Sequence, residues 1–291
     1  MLVLFQIRSK NEKIVLYLSV TTFPTGKPHV SFSEVKAWKE CGWRHKLVHI
    51  DKLNVFKPSH HLDFGKIVHA ELEGYLEHKT FDLERMRAAL TEAWTENGFE
   101  NLDSAIKDSE QILKDIPQFL DENFPEWTFM AAEHALYEEI PDNDIKFKGF
   151  VDGMIRAKNS RGKEILWIID WKTTASPRGW SADKKSDFLI QMQVMLYKFF
   201  CSKKFEIDPK DIKCGFVLLK RGAKPGKTCE LIEVSVGPKA FEKATKVLSS
   251  MISAVRINKP IKNRSSCTYC EFKNTNHCSG SSEYPAFTTY K

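Results

Sequence analysis

No apolar stretch in this chain approaches the ~20 residues that a helix needs to cross a bilayer. The apolar run Met1 to Ile7 is short, has no basic leader and runs into charged residues, so it does not read as a secretory signal. No repeat or low-complexity tract breaks the sequence. Cysteine is scarce: seven in 291 residues, an odd number, which argues against a disulfide framework. A cytoplasmic protein in a reducing compartment is the expectation. Neither sign of charge dominates, with 44 basic and 38 acidic residues and a net charge of +6. That balance permits contact with a polyanion without requiring it. A phosphate-binding loop is missing too. Gly222-Ala-Lys-Pro-Gly226-Lys227-Thr228 has three residues between its glycines where four are needed, and it leads into a strand. That excludes a nucleotide-driven motor in this stretch.

What is present is enough for a sizeable core: 42% apolar residues, with 20 Phe and 7 Trp. Residues 1–30 hold two short strand-like runs, 2–7 and 14–20, and read as an extension. Residues 31–291 read as a single domain, with a helical region at 31–126, a core at 127–257 and a cysteine-rich end at 258–291. Ser31-x-x-Glu34 is a capping box that opens a helix to about His49. Helices follow at 62–79, at 82–97 behind an Asp82 cap, and at 104–123 with Pro117 inside. Three strands occupy 127–172, a polar loop 173–185 and a helix 186–204. Strands near 212–220 and 228–236 precede a helix at 238–256. The order predicts an α/β fold: a mixed sheet flanked by helices.

Two acids and a lysine stand out on neighbouring strands. Gly149-Phe-Val-Asp152 lies in the run 145–157, and Ile169-Asp170-Trp-Lys172 ends the run 164–172. Asn159-Ser-Arg-Gly162 between them reads as a hairpin turn. Residues equidistant from such a turn lie opposite one another. Residue 161 is the midpoint of Asp152 and Asp170, so their carboxylates should stand side by side. Lys172, two residues on, shares the face of Asp170. Paired carboxylates suit a hard divalent cation, and a lysine beside it can orient water and offset charge on a phosphate.

Four motifs occur in order: Gly65 to His69 on a helix, Gly149 to Asp152, Asp170 to Lys172, and Gln193 to Tyr197 on one helical face. The set resembles the PD-(D/E)XK nuclease superfamily, in its RecB-like exonuclease branch, over roughly residues 31 to 280. The resemblance implies a restriction-endonuclease-like core that hydrolyses DNA phosphodiesters with Mg²⁺ or Mn²⁺. His69, Asp152, Asp170 and the carbonyl of Trp171 would hold the metal. Lys172 would orient water, with Gln193 and Tyr197 supporting the lysine or the nucleic acid. It also implies a DNA exonuclease like the stand-alone phage or CRISPR-adaptation members, serving recombination, repair or phage DNA processing. Its substrate would be DNA with single-stranded character or a free end. A DNA-binding module of this fold is the first alternative, and the intact acids and lysine argue against it. An endonuclease is the second, disfavoured because no separate recognition domain is evident. Glu133 lies on the preceding strand, where nothing in the spacing assigns it to the site.

Cys267-Thr-Tyr-Cys270 with Cys278 reads as a metal-binding end, since C-x-x-C lets two thiolates share one metal. The segment Ser31-Phe-Ser33 to Cys41-Gly-Trp-Arg44 resembles the start of the same family, with Gly42 where a proline is usual. That resemblance makes Cys41 the fourth ligand of a 4Fe–4S cluster. Zinc is the alternative, with His277 as a possible substitute ligand. Cys201, Cys214 and Cys229 fall on core elements. Arg178, Trp180, Lys184 and Lys185 follow the Asp170 strand and read as a DNA-contacting loop with one stacking aromatic.

Overall fold

Residues Ile165 to Trp171 are buried without a break, so their strand must lie inside a sheet covered on both faces. The computed structural model describes residues 3–8, 13–18, 22–54 and 58–278. Its strands are β1 (Val3–Arg8), β2 (Lys13–Leu18), β3 (His29–Ser31), β4 (Thr128–Glu139), β5 (Lys146–Lys158), β6 (Glu164–Thr174), β7 (Ile212–Lys220) and β8 (Cys229–Glu233). Its helices are α1 (Phe32–Glu40), α2 (Gly42–His45), α3 (His60–His78), α4 (Leu83–Asn97), α5 (Leu102–Asn123), α6 (Ala182–Ser186), α7 (Phe188–Lys204) and α8 (Pro238–Ile257). The α/β reading holds. β1 and β2 form a separate antiparallel pair, and the other six strands form one mixed sheet. Among the described residues no helix is long and apolar enough to cross a membrane.

The sheet is forked. β4 runs antiparallel along one edge of β5. The other edge of β5 is shared: β3 pairs its start in parallel, from His29↔Lys146 to Ser31↔Lys148, and β6 pairs its end, from Gly153↔Ile169 to Lys158↔Glu164. Beyond Ile169, β6 leaves β5 and continues beside β7 to Thr174↔Lys220. Alternating side chains of β6 feed two cores. Leu166 and Ile168 meet residues of α7 and α8, while Trp167, Ile169 and Trp171 meet those of α3, α4 and α5. Burial of this size is the main stabilising term, at about 25 cal/mol per Å² of apolar surface.

Two local expectations are corrected. The single helix from Ser31 to about His49 is interrupted: Cys41 is extended, with φ −161°, and Lys46–Ile50 is a π-helical turn. The cause lies far along the chain. Trp43 N–H donates to Ile261 O at 3.1 Å, and a Cβ on Gly42 would stand 3.0 Å from the Ile261 nitrogen. Gly42 therefore occupies a spot where a chain crossing leaves no room for a side chain. The capping box is half made. Ser31 Oγ accepts from Glu34 N–H, but the Glu34 carboxylate turns inward to His45 Nε2 at 3.1 Å. The glycines that imitate a phosphate loop also have partners. Gly222 and Gly226 donate to Asp108 and Asp115 of α5, pinning the β7–β8 turn to the helical layer.

Candidate active site

The fork carries the acids. The register Gly153↔Ile169, extended by one step, sets Asp152 opposite Asp170, as the sequence mirror predicts. Asp152 Oδ2 accepts from Trp171 N–H at 2.9 Å across the opening. The carbonyl of a strand residue leaves on the same edge as its N–H, so Trp171 O also faces the fork. Lys172 Nζ makes an ion-pair contact with Asp170 Oδ2. Asp170 is fully buried, and its side-chain partners are Lys172 and Gln193.

Helices reach the fork from opposite faces of the sheet. From α3, His69 Nδ1 stands 3.7 Å from Asp152 Oδ2. From α7, Gln193 Nε2 donates to Tyr197 Oη at 3.2 Å, and the Gln193 amide faces Asp170. Two motif glycines make these approaches possible. A Cβ on Gly149 would fall 2.7 Å from the Tyr197 ring, and one on Gly65 would fall 3.3 Å from Thr173 Oγ1. The motifs are thus complementary surfaces: glycine on one element admits a functional side chain or strand of another.

The structure adds Glu133. The β4–β5 register pairs Ala132 with Gly153 and His134 with Val151, which places Glu133 opposite Asp152. Glu133 has φ +44°, a left-handed backbone uncommon for a residue with a side chain. One row across three strands therefore reads Glu133, Asp152, Asp170. The first hairpin has its midpoint between 142 and 143, and the mirror arithmetic used for the second would have found Glu133 there. Glu73, one turn after His69 on α3, hydrogen-bonds to Glu133.

Electrostatics fit a cation. Burial, then the charge of Asp170, push Asp152 well above the usual carboxylate range. Burial also raises Asp170, and Lys172 and Gln193 pull it back only in part. Burial works against the Lys172 ammonium, but Asp170 and Asp152 outweigh it and keep it charged. Burial, helped by Lys172, lowers His69 to about 4, so its imidazole is neutral at ordinary pH, the form that binds metal. Burial and Glu133 raise Glu73 to about 7. Among the described residues no three His, Cys, Asp or Glu side chains stand close enough to hold a metal as they are. The donor chemistry still suits a hard divalent ion: a buried carboxylate, a second carboxylate beside it, a neutral imidazole and a backbone carbonyl.

The loop after β6 departs from expectation. Trp180 is only 9% exposed, lies 5.5 Å from the Phe216 ring and has Lys184 over its own ring at 4.6 Å. It is a core residue, not a free stacking platform. Lys185 is paired with Glu230, and Arg178 is exposed.

The cysteines fall as two groups. Cys41, Cys267, Cys270 and Cys278 line one cavity with Trp43 and Phe272. Asn263 N–H donates to Cys41 Sγ at 3.4 Å, and Arg44 forks onto Glu271 at 2.9 and 3.1 Å. His277 meets Trp43 through its backbone carbonyl, which accepts from Nε1. Cys201 and Cys214 are buried, and burial pushes these thiols and Cys229 up to about 12.

No curated protein matches the chain. Among solved structures, a candidate exonuclease from Eubacterium rectale is similar at 14% identity and a TM-score of 0.51, with 85% of this chain and 90% of that one covered. SSO0001 is similar at 17% identity over 82% and 93% of the two chains, with a TM-score of 0.33. The model of the PD-(D/E)XK nuclease superfamily matches residues 29–275, nearly the whole described sheet and both its helical layers. The forked sheet, the paired acids and that match together show that the chain belongs to the PD-(D/E)XK nuclease superfamily.

Proposed function

We propose that the chain is a metal-dependent DNA exonuclease that hydrolyses phosphodiester bonds. The observation that carries this reading is Asp170: a fully buried carboxylate set opposite Asp152 and ion-paired with Lys172. His69, Asp152, Asp170 and the Trp171 carbonyl would hold Mg²⁺ or Mn²⁺, with Glu133 next in the row. A bound ion there supplies Lewis acidity and a more acidic water. The chain's own residues do the rest. Lys172, held charged, offsets the charge that develops on the phosphate and orients the attacking water. Gln193 and Tyr197 fix one another and face Asp170, which limits how Asp170 and Lys172 can turn. Neutral His69 adds a donor without adding charge. The resemblance to the RecB-like branch, and the similarity to the candidate exonuclease from E. rectale, favour an exonuclease. Digestion of end-labelled and of covalently closed circular DNA with Mg²⁺, Mn²⁺ or EDTA tests it. Cleavage of the linear form alone, dependent on metal, is expected. Equal cutting of circles would overturn the exonuclease part.

The cysteine cavity is proposed to hold a 4Fe–4S cluster on Cys41, Cys267, Cys270 and Cys278. What supports this is that four free cysteines, from segments more than two hundred residues apart, line one cavity. Anaerobically purified protein is expected to be brown, with about four irons per chain. Colourless protein with stoichiometric zinc would replace the cluster by a zinc site, and absence of both metals would remove the site.

A further inference from the structure

The row of alternate residues that leads away from Asp152 along β5 is open. Lys146, Lys148, Phe150 and Asp152 alternate with buried Phe147, Gly149 and Val151. Across β4, residues Glu133, Ala135, Tyr137 and Glu139 are likewise exposed and lie in the same register. Phe150 and Tyr137 are each 45% exposed, and few large apolar side chains of the described residues are as open. Lys148 lies over the Phe150 ring at 5.4 Å and Lys146 over the Tyr137 ring at 5.2 Å. On the far side, His29 of β3 pairs with Lys146 and meets Tyr137 edge-on at 5.8 Å. α3 meets the fork through His69 at Asp152 and through Leu76 at Gly153, while Phe150, two residues before Asp152, is exposed.

We infer that this aromatic and basic strip is a track for single-stranded DNA running to or from the catalytic fork. The inference deepens the nuclease reading and rests on it. Three features select the occupant. The strip is continuous with the site, since its inner end is Asp152. It sets rings beside ammonium groups, with Tyr137 opposite Lys148 and Phe150 two residues along β5 from it, and alternate strand residues stand about 7 Å apart, so a base can lie on a ring while its phosphate meets a lysine. A duplex keeps its bases stacked inside, where Phe150 and Tyr137 cannot reach their faces. Glu139, opposite Lys146, sets the outer limit of the favourable stretch.

The test measures binding of a fluorescein-labelled oligo-dT in EDTA, with hydrolysis of bis(4-nitrophenyl) phosphate as a readout of chemistry alone. Phe150→Ala should weaken oligo-dT binding about tenfold, and Phe150→Trp should retain it. Lys148→Ala should weaken binding and reduce the log–log salt slope by about 0.7, the loss of one phosphate contact on a single strand. Binding of a blunt duplex should change much less in Phe150→Ala. Unchanged oligo-dT binding in both alanine variants, or an equal loss on duplex, overturns the track. Small-ester hydrolysis should persist in Phe150→Ala and vanish in Asp170→Ala. If the wild type hydrolyses no phosphodiester while Phe150→Ala still loses oligo-dT, the track stands and the catalytic reading falls.

Discussion

The acid-bearing fork and the cysteine cavity solve opposite problems. The fork is built by backbone register beside β6 and β7, which bury every one of their apolar side chains. Its groups are placed before any ligand arrives, and their charges make the place uncomfortable until one does. The cavity is built by two chain segments that share little apolar surface. In the described part of the cysteine-rich end, only Phe272 is buried. Polar contacts tie it to α1 and α2: Asn263 and Ser266 onto Glu40 O, and Arg44 onto Glu271. Exposed contacts of this kind contribute ~0–1 kcal/mol each. The fork should therefore keep its shape without metal, while the cavity should depend on metal for its hold.

The largest effect expected separates activity from folding at the fork. Asp170→Asn should reduce cleavage by at least ~10²-fold. Its melting temperature should stay or rise, because a buried charge is removed. Lys172→Met should lose activity as fully but also lose stability, since it leaves the Asp170 charge buried and alone. Parallel melting curves and cleavage rates check both. A stable Lys172→Met with an unstable Asp170→Asn would reverse the assignment of which group burdens the fold.

Next comes the cavity. Cys41→Ser and Cys270→Ser should lose metal together and lower the melting temperature by similar amounts. That loss should be well beyond the ~0.5 kcal/mol of an ordinary surface change. Metal content and calorimetry decide. Full metal in Cys41→Ser would break the link between the two segments.

A third prediction concerns Gly149. Gly149→Ala pushes a methyl into Tyr197 and should destabilise by about 1–3 kcal/mol. The double variant with Tyr197→Ala should cost less than the sum of the singles, because the clash is then gone. Strict additivity in denaturant melts would show that the two do not touch.

The smallest effect is shared by both regions. Burial lowers His69 at the fork and His49 in the π-helical turn to about 4. Both are neutral when folded and bind a proton at about 6.5 when unfolded. Their contribution is present above pH 6.5 and is lost as pH falls toward 4. Replacing His49 by Phe should flatten that part of the stability profile in EDTA, measured by thermal melts between those values. An unchanged slope would remove His49 from the acid sensitivity.

The fork was legible because hairpin pairing is arithmetic on sequence positions: the acids, Lys172 and the Gln193–Tyr197 face all follow from counting. Glu133 was equally countable around the turn at 142–143, but an exposed acid on an irregular strand carries no apolar pattern to draw the eye. The break at Cys41 was not legible. Local periodicity from Ser31 to His49 favours one helix, and it is Ile261 that interrupts it. Trp180 misled for a related reason. A tryptophan among polar residues reads as surface until the loop is seen folding back onto Phe216.

The hairpin between the two acids also sets a rule about tolerance to change. Asn159 closes the turn by accepting from the Arg161 and Lys163 N–H groups and Gly162 supplies a φ of +74°, while Ser160 and Arg161 are exposed and free to drift in identity. Their number is not. One residue inserted within β5 or β6 between Asp152 and the turn, or the turn and Asp170, would carry one carboxylate to the wrong face of its strand. A library of hairpin variants should therefore accept many substitutions at 160 and 161 while rejecting single-residue insertions and deletions in either strand. The chain encodes this site as a length as much as a spelling.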